Sequence, residues 1–310
     1  MIIAAALFVG CGKKVDPTAN NKVGIMDETV KEIDPTRVEI SGTYSYLTSL
    51  DAIYVLVGTS NDMSDAMAFE SMLSGKSFTA DVTGLKGNTN YYYRYRFVSM
   101  GTEQESEAVK SFAAREYVDL DLPSGLLWAK CNVGADSPED YGWYFMWGGV
   151  TEGGDPDCSW ANCPGNGGSS DYNATAFNTW EAANLTNDVL NSGVDAATAN
   201  WGGGWRMPTT GEWKELYDNT TCTWTTENGV AGRKFTSKAD SSKYIYLPAA
   251  GRRYGTSLDA GSLGIYWSSS LLSSRPDRAY YMYFNSGDVY PQTFNPRYIG
   301  FTVRPVRVAR

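Results

Sequence analysis

No histidine occurs among the 310 residues, and that absence bounds the chemistry open to the chain. Imidazole general bases, Ser-His-Asp triads and the commonest zinc ligand all need the missing ring. Catalysis would have to run on carboxylates, Tyr, Lys or Cys. Glu152, Asp155 and Asp157 are the closest carboxylate group, but they sit in a glycine-rich stretch that reads as a solvated loop, not an acid–base pair. Asp155 and Asp157, with Asp171, are also the obvious oxygen donors should calcium be used. Gly202, Gly203 and Gly204, between Trp201 and Trp205, precede a helix and raise the question of a phosphate cradle. A cradle needs glycines adjacent to the helix N-terminus and a Lys-Ser or Lys-Thr pair. Here Arg206, Met207 and Pro208 intervene and no such pair follows. The glycines therefore read as backbone passing close to large rings.

Aromatic side chains are the other resource. Sugar rings present apolar C–H faces that stack on flat aromatic rings, while polar groups fix orientation. Trp160, Tyr172 and Trp180 lie in a long polar region from Gly148 to about Asn200. Arg252, Arg253 and Tyr254 follow a strand end from which they could reach the same face. These six are the candidate ligand-binding residues; no catalytic residue and no metal ligand is assigned. Trp128, Trp205, Trp213 and Trp267 instead fall on strand or helix periods and are expected in the core. The chain carries 35 acidic against 26 basic side chains, with no basic run of five, which argues against nucleic acid as a partner.

The N-terminal stretch MIIAAALFVGCGKK is apolar up to Gly10-Cys11 and too short to span a bilayer, which takes about 20 apolar residues. It resembles the end of a bacterial lipoprotein signal, although no Lys or Arg precedes the apolar run. The resemblance implies lipidation of Cys11, a membrane lipid anchor and a cell-envelope, outer-membrane, surface-exposed location. Residues 12–35 are polar, contain two Asp-Pro-Thr triplets and read as a linker. In an exported protein the remaining thiols, Cys131, Cys158, Cys163 and Cys222, suggest two disulfides with three connectivities open. The favoured pairing is Cys131 with Cys222 and Cys158 with Cys163.

The elements that must position these residues fall into two sets. Between 36 and 115, short β-rich runs recur with turn residues between them, and Tyr91, Tyr93, Tyr95 and Phe97 share one face while Arg94 and Arg96 share the other. All ten tryptophans come later, from Trp128 to Trp267, which marks a second unit over 117–310. Strands are expected at 117–122 and 126–132, and a weak helix near 180–190. Thr209-Thr-Gly-Glu212 fits a capping box, and Trp213, Leu216 and Tyr217 then give one apolar helix face. Asn228-Gly229 marks a hairpin turn.

Leu85, Thr89 and Tyr91 look like the tyrosine corner of a sandwich, and residues 36–115 resemble a fibronectin type III domain. YVDLDLPSGLLWAKCNVGA, WGGGWRMPTTGEWKEL, CTWTTENGVAG, YLPAAGRR, YWSSS and GFTVRPVR, in this order, resemble the Fibrobacter succinogenes major paralogous domain over 117–310. That resemblance implies a Bacteroidetes-type surface protein and an α+β C-type lectin-like fold, related to that of the formylglycine-generating sulfatase activators. An all-β N-terminal sandwich plus an α+β C-terminal domain is thus the expected architecture. The activators carry a cysteine on a terminal strand reading Gly-Phe-Arg-Cys. Here the strand reads Gly300-Phe301-Thr302-Val303 and the last cysteine is Cys222, so an oxidase of that kind is disfavoured. The Glu-Pro-Asn and Trp-Asn-Asp triplets of calcium-dependent sugar-binding lectins are also missing. The resulting expectation is a non-enzymatic adhesion or ligand-binding protein, acting on glycans through its loop region. A pilus-associated or structural subunit that contacts protein partners is the alternative.

Overall fold

The computed structural model describes residues 23–45, 50–151, 153–202 and 204–309. Cys11, the leader 1–11, the start of the expected linker and Glu152 lie outside the described residues. The chain divides into two compact units, one built from the residues up to Gly84 with Asn90–Phe112, the other from Leu85–Thr89 with the rest. No helix among the described residues is long and apolar enough to cross a membrane.

The N-terminal unit is all-β. Its strands are β1 (Gly24–Asp34), β2 (Arg37–Ser45), β3 (Ala52–Gly58), β4 (Met67–Ser74), β5 (Ser77–Thr83), β6 (Thr89–Ser99), β7 (Thr102–Glu105) and β8 (Lys110–Ala114). They join in the order β1-β2-β5-β4-β3-β6-β7, with β8 also on β6. β4 pairs with β3 through Met67–Glu70 and with β5 through Ser71–Ser74, so it passes the chain from one layer to the other. The layers meet through inward rings: Phe78 of β5 lies edge-on to Tyr95 of β6, 5.5 Å between centroids. Tyr91, Tyr93, Tyr95 and Phe97 are buried together, as their alternation predicts. On the outer face Arg94 and Arg96 pair with Glu105.

Strand β1 corrects the linker reading, since residues 24–34 are paired along β2. The polar sequence hid it because β1 is an edge strand broken by a bulge. Between Met26 and Thr29, two residues oppose Gly42 alone, and Asp27 adopts φ +48°. The bulge turns Glu28 toward the tyrosines. Its carboxylate accepts from Tyr93 Oη (2.5 Å), Tyr95 Oη (2.7 Å) and Lys110 Nζ (2.5 Å). Gly42 suits the position opposite, since a Cβ there would lie 3.0 Å from the Met26 carbonyl and 3.1 Å from the Phe78 ring, which would have to give way.

The second unit is also mostly strand. β9 (Tyr117–Asp119) and β10 (Leu126–Ala129) form a sheet with the last strand, β21 (Val306–Val308). Helix α1 (Ala174–Asn184), strands β11 (Leu185–Thr186) and β12 (Val189–Leu190), and helices α2 (Ala196–Trp201) and α3 (Thr210–Asn219) follow. Then come β13 (Thr220–Glu227), β14 (Val230–Ser237) and β15 (Tyr244–Pro248), which pair in that order. Last are the hairpin β16 (Arg252–Tyr254) with β17 (Ser257–Asp259), and β18 (Gly264–Leu271), β19 (Arg278–Phe284) and β20 (Val289–Pro296) in the sheet β11-β12-β18-β19-β20.

Local chemistry explains the frame. Thr209 accepts from the Glu212 amide and Glu212 accepts from the Thr209 amide, so the capping box that starts α3 forms. Trp213 and Leu216 then bury against Trp128, Tyr266 and Phe284. Each fully buried large side chain contributes about 1.5–3 kcal/mol. Three indoles also find acceptors in the core: Trp147 donates to the Ser268 carbonyl (2.8 Å), Trp267 to that of Phe145 (2.7 Å) and Trp213 to that of Trp267 (3.2 Å). Trp128, Trp205, Trp213 and Trp267 are all core residues. At Asn228-Gly229 both residues have positive φ, +46° and +83°, as a tight two-residue hairpin requires. The explanation for Gly202 changes. A Cβ there would meet nothing, so close passage is not the constraint; its φ of +59° at the end of α2 is.

Candidate functional site

The expected disulfides do not form, and all four cysteines in the described residues are free. Each sulfur faces a partner of its own. Cys131 Sγ accepts from Asn88 Nδ2 (3.0 Å) and Cys222 Sγ from Arg233 Nη1 (3.6 Å), which separates that pair. The thiols of Cys158 and Cys163 donate to the carbonyls of Asp155 (3.5 Å) and Pro164 (3.8 Å). They share an apolar cluster with Met146 and Phe177, and burial pushes both thiols up to about 12, far from reactive thiolates.

An amide takes the place of a cross-link in the loop. Asn166 is fully buried, and its Nδ2 lies 2.9, 2.8 and 2.9 Å from the carbonyls of Trp160, Ser169 and Asp171. Its Oδ1 accepts from the Asn173 amide at 2.8 Å. Asn173 in turn caps α1 by accepting from the Ala176 amide (3.2 Å). The segment 160–173 is thereby folded around one side chain and joined to the start of a helix. That helix begins at Ala174, earlier than the sequence period places it.

Trp160 is held at the centre of a row of rings. Its centroid lies 4.4 Å from that of Tyr298, 6.1 Å from Tyr172 and 6.2 Å from Phe177. Tyr298 continues the row to Tyr254, 5.7 Å away. Tyr254 is 60% exposed and Tyr172 42%, while Trp160 and Tyr298 are half-buried. Burial, with the hydrogen bond to Tyr254 behind it, pushes the Tyr298 phenol up to about 12, so the ring stays neutral and can donate. Tyr298 did not stand out in the sequence, where it reads as a turn residue in Asn-Pro-Arg-Tyr. Three of the six candidates, Trp160, Tyr172 and Tyr254, thus form one strip.

The arginines separate. In β16 alternate residues point to opposite sides, so exposed Arg252 shares a side with Tyr254 while Arg253 points away. The charge of Arg252 reaches the phenols of both Tyr281 and Tyr298. No carboxylate among the described residues is within ion-pairing distance of Arg252, whereas Arg206 and Arg297, for example, pair with Glu212 and Glu181. Arg253 sits over the Tyr144 ring at 5.7 Å.

Trp180 belongs elsewhere. Its ring packs on Trp147 (6.2 Å) and closes a cage round the fully buried Arg297, whose guanidinium lies 4.6, 4.2 and 4.8 Å from Trp147, Phe177 and Trp180. Arg297 Nη1 pairs with Glu181 at 2.7 Å. Burial lowers the Arg297 pKa to about 10, and the cation persists at neutral pH. This cage is structural, and it carries Tyr298 on the next residue.

The acidic residues do not assemble. Asp155 is buried, not solvated, and its Oδ2 accepts from the Met146 amide at 2.7 Å. Asp157 accepts from Asn162 Nδ2 at 3.0 Å and, like Asp171, lies at the surface. Among the described residues no three His, Cys, Asp or Glu side chains are grouped so as to hold a metal ion.

The arrangement is that of a protein with an all-β N-terminal unit followed by a tryptophan-cored unit presenting an aromatic strip. Residues 118–307 match the family described as the Lcl C-terminal domain, and the chain belongs to that family. That match agrees coarsely with the resemblance to the Fibrobacter succinogenes major paralogous domain. No curated protein matches the chain. Among solved structures, a Br derivative of BhCBM56 is similar at 13% identity over 28% of this chain and 88% of that one, with a TM-score of 0.22. A fibronectin type III domain from the human KIAA0970 protein is similar at 14% identity over 29% and 71% of the two chains, with a TM-score of 0.22. OgpA from Akkermansia muciniphila is similar at 18% identity over 31% and 28%, with a TM-score of 0.26.

Proposed function

We propose that this chain is a non-enzymatic cell-envelope lipoprotein that binds glycans through the strip Tyr254–Tyr298–Trp160–Tyr172. The observation that carries the reading is the contiguity of those rings, two of them well exposed, beside an arginine with no ion-pair partner among the described residues. Aromatic faces take the apolar faces of sugar rings, and the free donors of Arg252 and the phenols fix hydroxyl orientation. The C-type lectin-like reading of the second unit fits a long irregular segment carrying the ligand surface. The fibronectin type III reading makes the first unit a spacer. The non-enzymatic reading is supported at the position where the sulfatase activators have a cysteine: it is Val303, fully buried in the apolar core.

A glycan microarray probed with the protein tests this. Binding to a defined set of glycans is expected, weakened at least tenfold, about 1.4 kcal/mol, by Trp160→Ala and by Tyr298→Ala. Adhesion to protein ligands with no glycan bound would favour the pilus-associated or structural reading instead. Anchoring through Cys11 predicts palmitate incorporation that is lost in Cys11→Ser.

A further inference from the structure

On the side of β16 away from the aromatic strip lies an open cleft of about 450 Å³. Its walls include Tyr141, Trp143, Pro156 and Leu258, with Arg253 and Asp155 also lining it. Leu258 is directly opposite Arg253 in the hairpin and is 48% exposed, so the two share this side of the ribbon. The volume is in the range of small-ligand sites, roughly 300–1,000 Å³, and a mixture of rings, an aliphatic wall and a few polar groups, here Arg253 and Asp155, is typical of them.

Arg253 is under-used. Its Nη1 reaches only the Pro156 carbonyl, at 3.4 Å, and its Nε is buried without a hydrogen-bond partner. No carboxylate among the described residues pairs with it. Asp155 lines the same cleft, but its Oδ2 is committed to the Met146 amide. The buried Nε is out of a ligand's reach, but the Nη groups have no acceptor besides that one long bond, and a ligand in the cleft can supply one.

We propose that this cleft is a second binding site, independent of the glycan reading, which takes a carboxylate carried on a small aromatic or aliphatic body. The guanidinium fork matches the planar carboxylate through two parallel hydrogen bonds. The apolar body lies against Trp143 and Leu258. A doubly charged phosphate is disfavoured because Asp155 faces the same space. The chemistry is shared by free organic acids and by the C-terminal residue of a peptide.

Calorimetric titration of the whole protein with N-acetyl-L-phenylalanine tests the site. Saturable binding is expected, at least about tenfold weaker for the corresponding amide and for inorganic phosphate. Arg253→Gln should abolish it. Leu258→Ser, an exposed position that spares the fold, should weaken it severalfold and decides the matter if Arg253→Gln does not fold. Tighter binding of acetyl-Gly-Gly-Phe than of the single residue identifies a peptide terminus as the source, and weaker binding a free acid. Equal binding of acid and amide, binding unchanged in both variants, or no saturation would overturn the proposal. Glycan binding serves as the internal control, because Leu258→Ser leaves the strip intact.

Discussion

Replacing Asn166 is the sharpest perturbation of the second unit. From a fully buried position its two Nδ2 hydrogens are shared among three carbonyls, and its Oδ1 accepts from an amide, four hydrogen-bond contacts in all. Truncation to alanine removes all four. The Asp171 carbonyl, on an exposed residue, can turn to water, and the Trp160 carbonyl keeps the Cys163 amide as a donor (3.2 Å); the Ser169 carbonyl and the Asn173 amide are left without a partner. At about 1–3 kcal/mol for each of these two groups, the loss sums to about 2–6 kcal/mol. Asn166→Asp keeps the shape but turns a carboxylate oxygen toward three carbonyls, and should cost at least as much at neutral pH. That aspartate would be held protonated in the fold, its pKa raised, so its deficit should shrink as pH falls and grow as pH rises. Thermal melting at several pH values, with limited proteolysis across residues 158–173, measures both effects. Because Trp160 and Tyr172 ride on this segment, glycan binding should fall with stability. A variant that melts like the parent and resists protease equally would refute the idea that one amide organises the loop.

Other expectations follow from the same geometry. Arg297→Met should destabilise by about 3–5 kcal/mol, because it leaves Glu181 without its cation, and adding Glu181→Leu should restore much of the loss in denaturant melts. Thr209→Ala should cost about 1 kcal/mol through the capping box, read as a shifted denaturant midpoint at constant slope. In the N-terminal unit burial pushes the Glu28 carboxyl up, but hydrogen bonds from Lys110, Tyr93 and Tyr95 outweigh it and leave the pKa below the ordinary 4.5. A carboxyl whose pKa is lowered on folding stabilises above its unfolded value and loses that contribution as pH falls through the folded one. Hydrogen exchange of the 24–34 amides should therefore be slower in the parent than in Glu28→Gln at pH 7, and the difference should fade below pH 4.5.

Features encoded by neighbours in sequence were legible. The capping box at Thr209, the Asn228-Gly229 turn and the alternating Tyr91–Phe97 face each depend on residues a few positions apart. Features that depend on a partner far along the chain were not. Strand β1 looks like a polar tether because its apolar pattern is interrupted by the bulge that aims Glu28 inward. Tyr298 gains its meaning only when the chain brings it onto Trp160, 138 positions earlier. Asn166 is the exception among these: its four partners lie within seven residues, but all are main-chain groups, which leave no mark in the pattern of side chains. The cysteine reading followed from the expected export of the chain, whereas in the fold the thiols are free and one buried amide and an apolar cluster restrain the irregular segment. Arg252 and Arg253 were grouped because they are adjacent, yet strand alternation sends adjacent residues to different sites.

The central claim is that ligand meets the Trp160 strip and not the tryptophan core. Fluorine NMR on protein labelled with 5-fluorotryptophan, titrated with the best glycan from the array, tests it directly. The account predicts that the Trp160 resonance moves and saturates with ligand while those of Trp128, Trp205, Trp213 and Trp267 hold still. Saturating shifts confined to other tryptophans, with Trp160 unmoved, would contradict it.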